Sequence, residues 1–202
     1  MTKRIIMLLT ATMLMIFLLF LCGCENKAEA SLRQVKTELS ELAPDDMKMT
    51  LYVLSPSILT RMPLTIDMLK SEQRESDEEL DYYGIAPPLT VKELSWEEKD
   101  EICSFILEEI GPTNIVPVKY EVYMNARICF EIEDAKGEMI LQLVFFADET
   151  DGYNRNIYWN GIELEYSPEF FRLIELAAKE SCDLDGYFDI QGHVRGYGLA
   201  AE

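Results

Sequence analysis

Ile128-Cys129-Phe130-Glu131-Ile132-Glu133-Asp134-Ala135-Lys136-Gly137-Glu138-Met139-Ile140-Leu141-Gln142-Leu143-Val144-Phe145-Phe146-Ala147 decides the fold. Its first part alternates: Ile128, Phe130 and Ile132 take turns with Cys129 and Glu131, the period of a strand with one buried face. Asp134-Ala135-Lys136-Gly137 has the composition of a turn. Met139 to Ala147 is apolar on both faces apart from Gln142, as expected of a strand in the middle of a sheet. Two strands joined by so short a turn must run antiparallel.

The same pattern extends on both sides. Upstream, Val118, Tyr120 and Val122 alternate with Lys119 and Glu121. Downstream, residues 148–156 form a polar loop, and Ile157-Tyr158-Trp159 and Ile162-Glu163-Leu164 flank Asn160-Gly161. Asn-Gly between two such runs is the strongest local hairpin signal, because both residues adopt the positive φ that a tight turn requires. Helices bracket the strands. Ser95-Trp96-Glu97-Glu98 is a capping box, after which Ile102, Phe105, Ile106 and Ile110 form an apolar stripe up to Gly111-Pro112. Ser167-Pro168-Glu169 opens a second helix with a cap, a first-turn proline and an acid, and turns Phe170, Leu173, Ile174 and Ala177 inward. The last twenty residues contain glycines 186, 192, 196 and 198 and no clear period.

This order predicts an α+β fold: an antiparallel sheet of four or five strands with helices packed on one face, preceded by an N-terminal apolar signal helix. The main domain spans residues 91–202. Residues 47–90 form an N-terminal strand and helix piece: Met49, Leu51 and Val53 alternate, Thr65 to Lys70 fits a short helix, and 71–90 is a polar, mainly acidic connection. Residues 24–46 form a tether, polar over 25–30, with a short helix over 31–42 that Ser31 can cap and that carries Leu32, Val35, Leu39 and Leu42. If the second sheet face is open, Tyr120, Tyr123, Tyr158 and Trp159 offer a contact surface; the alternative is that these rings are core residues or cross-strand partners.

The first two dozen residues are of another kind. Met1-Thr2-Lys3-Arg4 is basic, Ile5 to Leu21 contains no charge, and Leu21-Cys22-Gly23-Cys24 is followed by Glu25-Asn26-Lys27. That is the order of a secretory signal peptide. With Cys24 directly after a small residue, it resembles the lipobox of bacterial lipoproteins, formed here by Leu21, Cys22 and Gly23. The resemblance implies removal of residues 1–23 and a diacylglycerol, with palmitate-type acyl chains, on the Cys24 thiol. It implies a lipid-anchored protein of the cell envelope, on the extracytoplasmic face of the cell membrane. Cys22 departs from the small or β-branched residue common at the second lipobox position. The rival is an uncleaved signal anchor, since about 20 apolar residues span a bilayer. Lys3 and Arg4 would hold its N-terminus inside, so either anchor leaves the rest of the chain outside.

The chain carries 18 Lys and Arg against 37 Asp and Glu, a net charge of −19. Loss of Lys3 and Arg4 with the signal makes it −21. Such a surface repels nucleic acid and anionic lipid headgroups, so neither is expected as a partner; solubility or a cationic partner explains the acidity. Of five cysteines, Cys103, Cys129 and Cys182 remain after Cys22 and Cys24 are assigned. Their spacing gives no zinc pattern. They are expected to be buried as small apolar residues, with one disulfide among them left open.

The sequence contains no nucleophile elbow, H-E-x-x-H pair or phosphate-binding loop, and its single histidine, His193, lies in the glycine-rich tail. Ser181-Cys182-Asp183-Leu184-Asp185-Gly186-Tyr187-Phe188-Asp189 resembles part of an EF-hand loop, with Asp183, Asp185 and Asp189 as candidate calcium ligands. Ser181 and Gly192 stand where that loop requires Asp and a bidentate Glu, which favours a polar turn; no metal or cofactor is otherwise expected. The expected function is a non-catalytic binding or accessory protein whose partner is an envelope protein, a cationic peptide or a small ligand. The alternative is an envelope hydrolase using Asp and Glu carboxylates, with or without a metal.

Overall fold

The computed structural model describes residues 26–54, 65–75, 89–118, 126–146, 153–154, 156–179, 184 and 194–195. Its order is α1 (Lys27–Glu41), β1 (Met47–Leu54), α2 (Ile66–Glu75), β2 (Leu89–Glu93), α3 (Trp96–Glu109), β3 (Ala126–Asp134), β4 (Met139–Phe146), β5 (Tyr153–Asn154), β6 (Asn156–Trp159), β7 (Ile162–Glu165), α4 (Pro168–Ala178) and β8 (Val194–Arg195). Single turns of 3-10 helix occupy Pro44–Asp46 and Pro112–Asn114. The α+β class is as expected. The main sheet has six strands in the order β2-β1-β3-β4-β6-β7, every pair antiparallel, and β5 and β8 form a separate two-stranded ribbon.

Six strands exceed the four or five expected. The additional ones come from the N-terminal piece: β1 lies between β2 and β3, with Leu51 opposite both Lys92 and Phe130. Residues 47–54 and 89–93 are thus hydrogen-bonded into the sheet that holds the 126–165 strands. The hydrophobic alternation of β1 implied a buried partner face but could not name a strand eighty residues away. The expected strand at 118–122 falls largely outside the described residues. Within them, the Val118 N–H donates to the Glu163 carbonyl and the Glu165 N–H to that of Val116, so residues 116–118 line the outer edge of β7.

Each sheet face is covered differently. Met49, Leu51, Val53, Ile128, Phe130, Ile132, Leu141, Leu143, Phe145, Ile157 and Trp159 form the main core with α1, α3 and α4. The stripes of those helices do what their period dictates: Leu32, Val35, Leu39, Ile102, Ile106, Ile110, Phe170, Leu173, Ile174 and Ala177 are all buried. On the opposite face Leu54, Leu69, Ala126, Cys129 and Val144 form a smaller cluster. Leu69 belongs to α2, so helices lie on both faces rather than one. This second layer rests on one amphipathic turn of α2, a weak signal amid a polar stretch.

Local signals hold where they depend on neighbours in sequence. Asn160 and Gly161 have φ of 48° and 75°, and Trp159 pairs with Ile162 across the turn. The Ser95 and Glu98 box is closed in both directions. Two caps differ from expectation. Asn26, not Ser31, caps α1, its side-chain oxygen accepting from the Ala28 N–H at 3.1 Å. The polar tether expected over 25–30 is therefore helical from Lys27, because Ala28, fully buried, extends the apolar stripe one turn further back. Ser167 makes no side-chain cap; its hydroxyl donates to the Glu169 carboxylate and accepts from the Asn114 amide.

Candidate functional site

The second sheet face carries the structure's concentration of polar chemistry. Glu131 faces it from the middle of β3, 2% exposed although negatively chargeable. In register beside it stand Thr50 on β1 and Gln142 on β4. Gln142, the lone polar residue of its strand, donates its amide to Glu131 Oε1 at 2.8 Å. Lys70, on α2, closes the site: Nζ donates to both Glu131 oxygens, at 3.0 and 2.8 Å. The same ammonium lies 5.6 Å from the centroid of the Tyr52 ring, within cation–π range. Tyr52 pairs with Cys129, two residues before Glu131.

Each ionisable group is tuned by this proximity. Burial pulls the Lys70 ammonium down, but the hydrogen bond and charge of Glu131 outweigh it and hold its pKa above the ordinary value. Burial, then the charge of Glu131, pushes the Tyr52 phenol up, Lys70 offsetting part of the effect. Burial foremost and the Glu131 charge second push the Cys129 thiol far up, so it stays protonated. The resulting island has its carboxylate saturated by an ammonium and an amide, a thiol without nucleophilic character, and a half-buried aromatic rim from Tyr52 and Tyr158. Its geometry suits an ion pair that fixes α2 on the sheet.

Cys103 lies on the other side of the sheet, in the main core, and its thiol is pushed up to about 11 by burial and by the charge of Asp100. Both described cysteines are free and buried, as expected of small apolar residues. Trp159, considered for an open aromatic face, is a core residue: it is fully buried, its ring centroid 5.7 Å from that of Phe170. Its indole N–H donates to the Ser31 hydroxyl at 3.1 Å. Tyr158 does lie on the second face. Leu21, Cys22, Gly23, Cys24, Tyr120, Tyr123, Cys182, Asp183, Asp185, Asp189 and His193 lie outside the described residues. Among the described residues no group of three or more His, Cys, Asp or Glu is arranged to hold a metal ion, and no helix is long and apolar enough to cross a membrane.

No protein-family model, curated protein or solved structure matches the chain.

Sequence pattern alone does not single out Glu131. Its position alternating with Ile128, Phe130 and Ile132 reads as solvent-facing. The available signal was Gln142, a polar residue isolated in an otherwise apolar central strand: a buried amide needs a partner, and the hairpin register through 134–138 places Glu131 opposite it.

Proposed function

We propose that this chain is a non-catalytic binding or accessory protein of the bacterial cell envelope, anchored to the extracytoplasmic face of the membrane by a diacylglycerol on Cys24. The observation that carries this is the order of residues 1–27: two basic residues, an uncharged run from Ile5 to Leu21, and Cys24 directly after Gly23. The candidate site is itself committed to the fold. Its carboxylate is taken up by Lys70 and Gln142, and its thiol is held protonated. The site therefore offers neither a spare acid–base pair nor an activated nucleophile. The partner is an envelope protein, a cationic peptide or a small ligand, drawn to an acidic surface held at high local concentration by the anchor.

In-cell crosslinking followed by mass spectrometry tests the proposal. One envelope protein recovered repeatedly with the wild-type chain is the expected result. A hydrolytic activity abolished by a single Asp or Glu substitution in a folded variant would replace this proposal with the hydrolase.

A further inference from the structure

Asn26 already belongs to the fold. It caps α1, and two residues later Ala28 is fully buried in the main core, followed by Leu32, Val35 and Leu39. Ser31 fixes this end of the helix laterally, accepting from the Trp159 indole at 3.1 Å and from the Asn160 amide at 3.5 Å. Asn160 is itself tied to the sheet: its amide donates to the Ile140 carbonyl at 3.0 Å, and its side-chain oxygen accepts from the Gln142 N–H at 2.7 Å. The first turns of α1 are therefore locked to the β6–β7 hairpin and the start of β4.

Covalent geometry limits how far the anchor can lie from this end of the domain. Cys24 is two residues from Asn26, and a fully extended chain covers at most about 3.6 Å per residue. The lipid acceptor thus lies within about 7 Å of Asn26. Five residues of helix, rising about 1.5 Å each, separate Asn26 from Ser31. A domain of this size is about 40 Å across, so the attachment point is close to its surface on any path of residues 24 and 25.

We propose that the folded domain is seated on the bilayer without a free tether, the first turn of α1 and the adjoining Asn160–Gly161 hairpin lying next to the lipid headgroups. This rests on the membrane anchor of the functional proposal, a lipid on Cys24. The surface fitted to the membrane is polar: Lys27, Glu29, Asn160 and Gly161 are all exposed. Its contact is with headgroups, and the anchor supplies the affinity that holds an acidic domain against anionic lipid. A partner must then meet the domain within its own height of the bilayer, as another membrane protein or a membrane-surface ligand does.

Neutron reflectometry of the full-length protein, carried from its native membrane into a supported bilayer of phosphatidylethanolamine and phosphatidylglycerol, tests this. The expected profile is a protein layer about 40 Å thick that begins at the headgroups. Inserting fifteen Gly and Ser residues between Glu25 and Asn26 should open a water layer of about 20 Å, the mean span of such a linker. A wild-type protein that remains in the bilayer but shows the same water layer as the insertion variant overturns the seating alone. A wild-type protein that washes out of the bilayer overturns the anchor and the seating with it.

Discussion

Lys70 holds both carboxylate oxygens of Glu131 across the second sheet face, at 3.0 and 2.8 Å, although the two residues lie 61 positions apart. Their burial is unequal: the Glu131 side chain is 3% exposed and that of Lys70 is 33%. Removing the lysine therefore strands a buried carboxylate, whereas removing the acid leaves an ammonium that can turn to water. Lys70→Met is expected to lower stability by about 2 kcal/mol, and Lys70→Met with Glu131→Leu to recover most of that. Urea midpoints of the two single variants and the double variant measure the coupling. Strict additivity would mean that the pair does not fix α2.

The Ser31 hydroxyl performs a similar service for the main core. It accepts the indole N–H of Trp159, which is otherwise enclosed by apolar neighbours. Ser31→Ala leaves that donor without this acceptor and should cost about 1–2 kcal/mol, while Ser31→Thr should cost less. Slow hydrogen exchange of the Trp159 indole in the wild type, accelerated in the alanine variant, would trace the loss to this bond. Unchanged exchange would refute it.

These two ties mark the boundary of what was legible in the sequence. The β3–β4 and β6–β7 hairpins and the α3 and α4 stripes depend on residues a few positions apart, and all were readable from period and turn chemistry. The insertion of β1 between β2 and β3 was not, because alternation reports that a face is buried without naming what buries it. The start of α1 was misplaced because Asn26 and Ser31 are comparable caps, and burial of Ala28 against the sheet decides between them. The candidate site was hidden for the same reason. Glu131 resembles a solvent-facing strand residue until α2 brings Lys70 over it.

Buried thiols give a chemical check on both faces of the sheet. Burial pushes the Cys103 thiol up to about 11 and that of Cys129 higher still. Thiolate is the reactive form, so iodoacetamide at pH 8 should leave both residues unmodified in the native protein and label them after unfolding. Peptide mapping resolves each site. Rapid labelling of Cys129 in the folded state would show that the second face opens and that α2 does not stay on the sheet.

Acid should loosen the protein where α3 begins. Burial raises the Glu98 pKa, but the hydrogen bond from Lys92, that from the Ser95 N–H and the Lys92 charge outweigh it, so the carboxyl sits below its ordinary value of 4.5. A depressed folded pKa means that the unfolded chain binds the proton more tightly. The stabilisation is then fully present above about pH 4.5 and is lost as pH falls through the lower folded value. Lys92 also donates to the Ala177 and Ala178 carbonyls at the end of α4, so protonating Glu98 weakens a junction of β2, α3 and α4. Glu98→Gln should cost about 1 kcal/mol at pH 7 and show a shallower decline between pH 5 and 3 than the wild type. Urea midpoints across that range measure both effects. Parallel declines would mean that the acid response arises elsewhere, with Glu169 the next group to test, since hydrogen bonds from Ser167 and Asn114 also hold its carboxyl low.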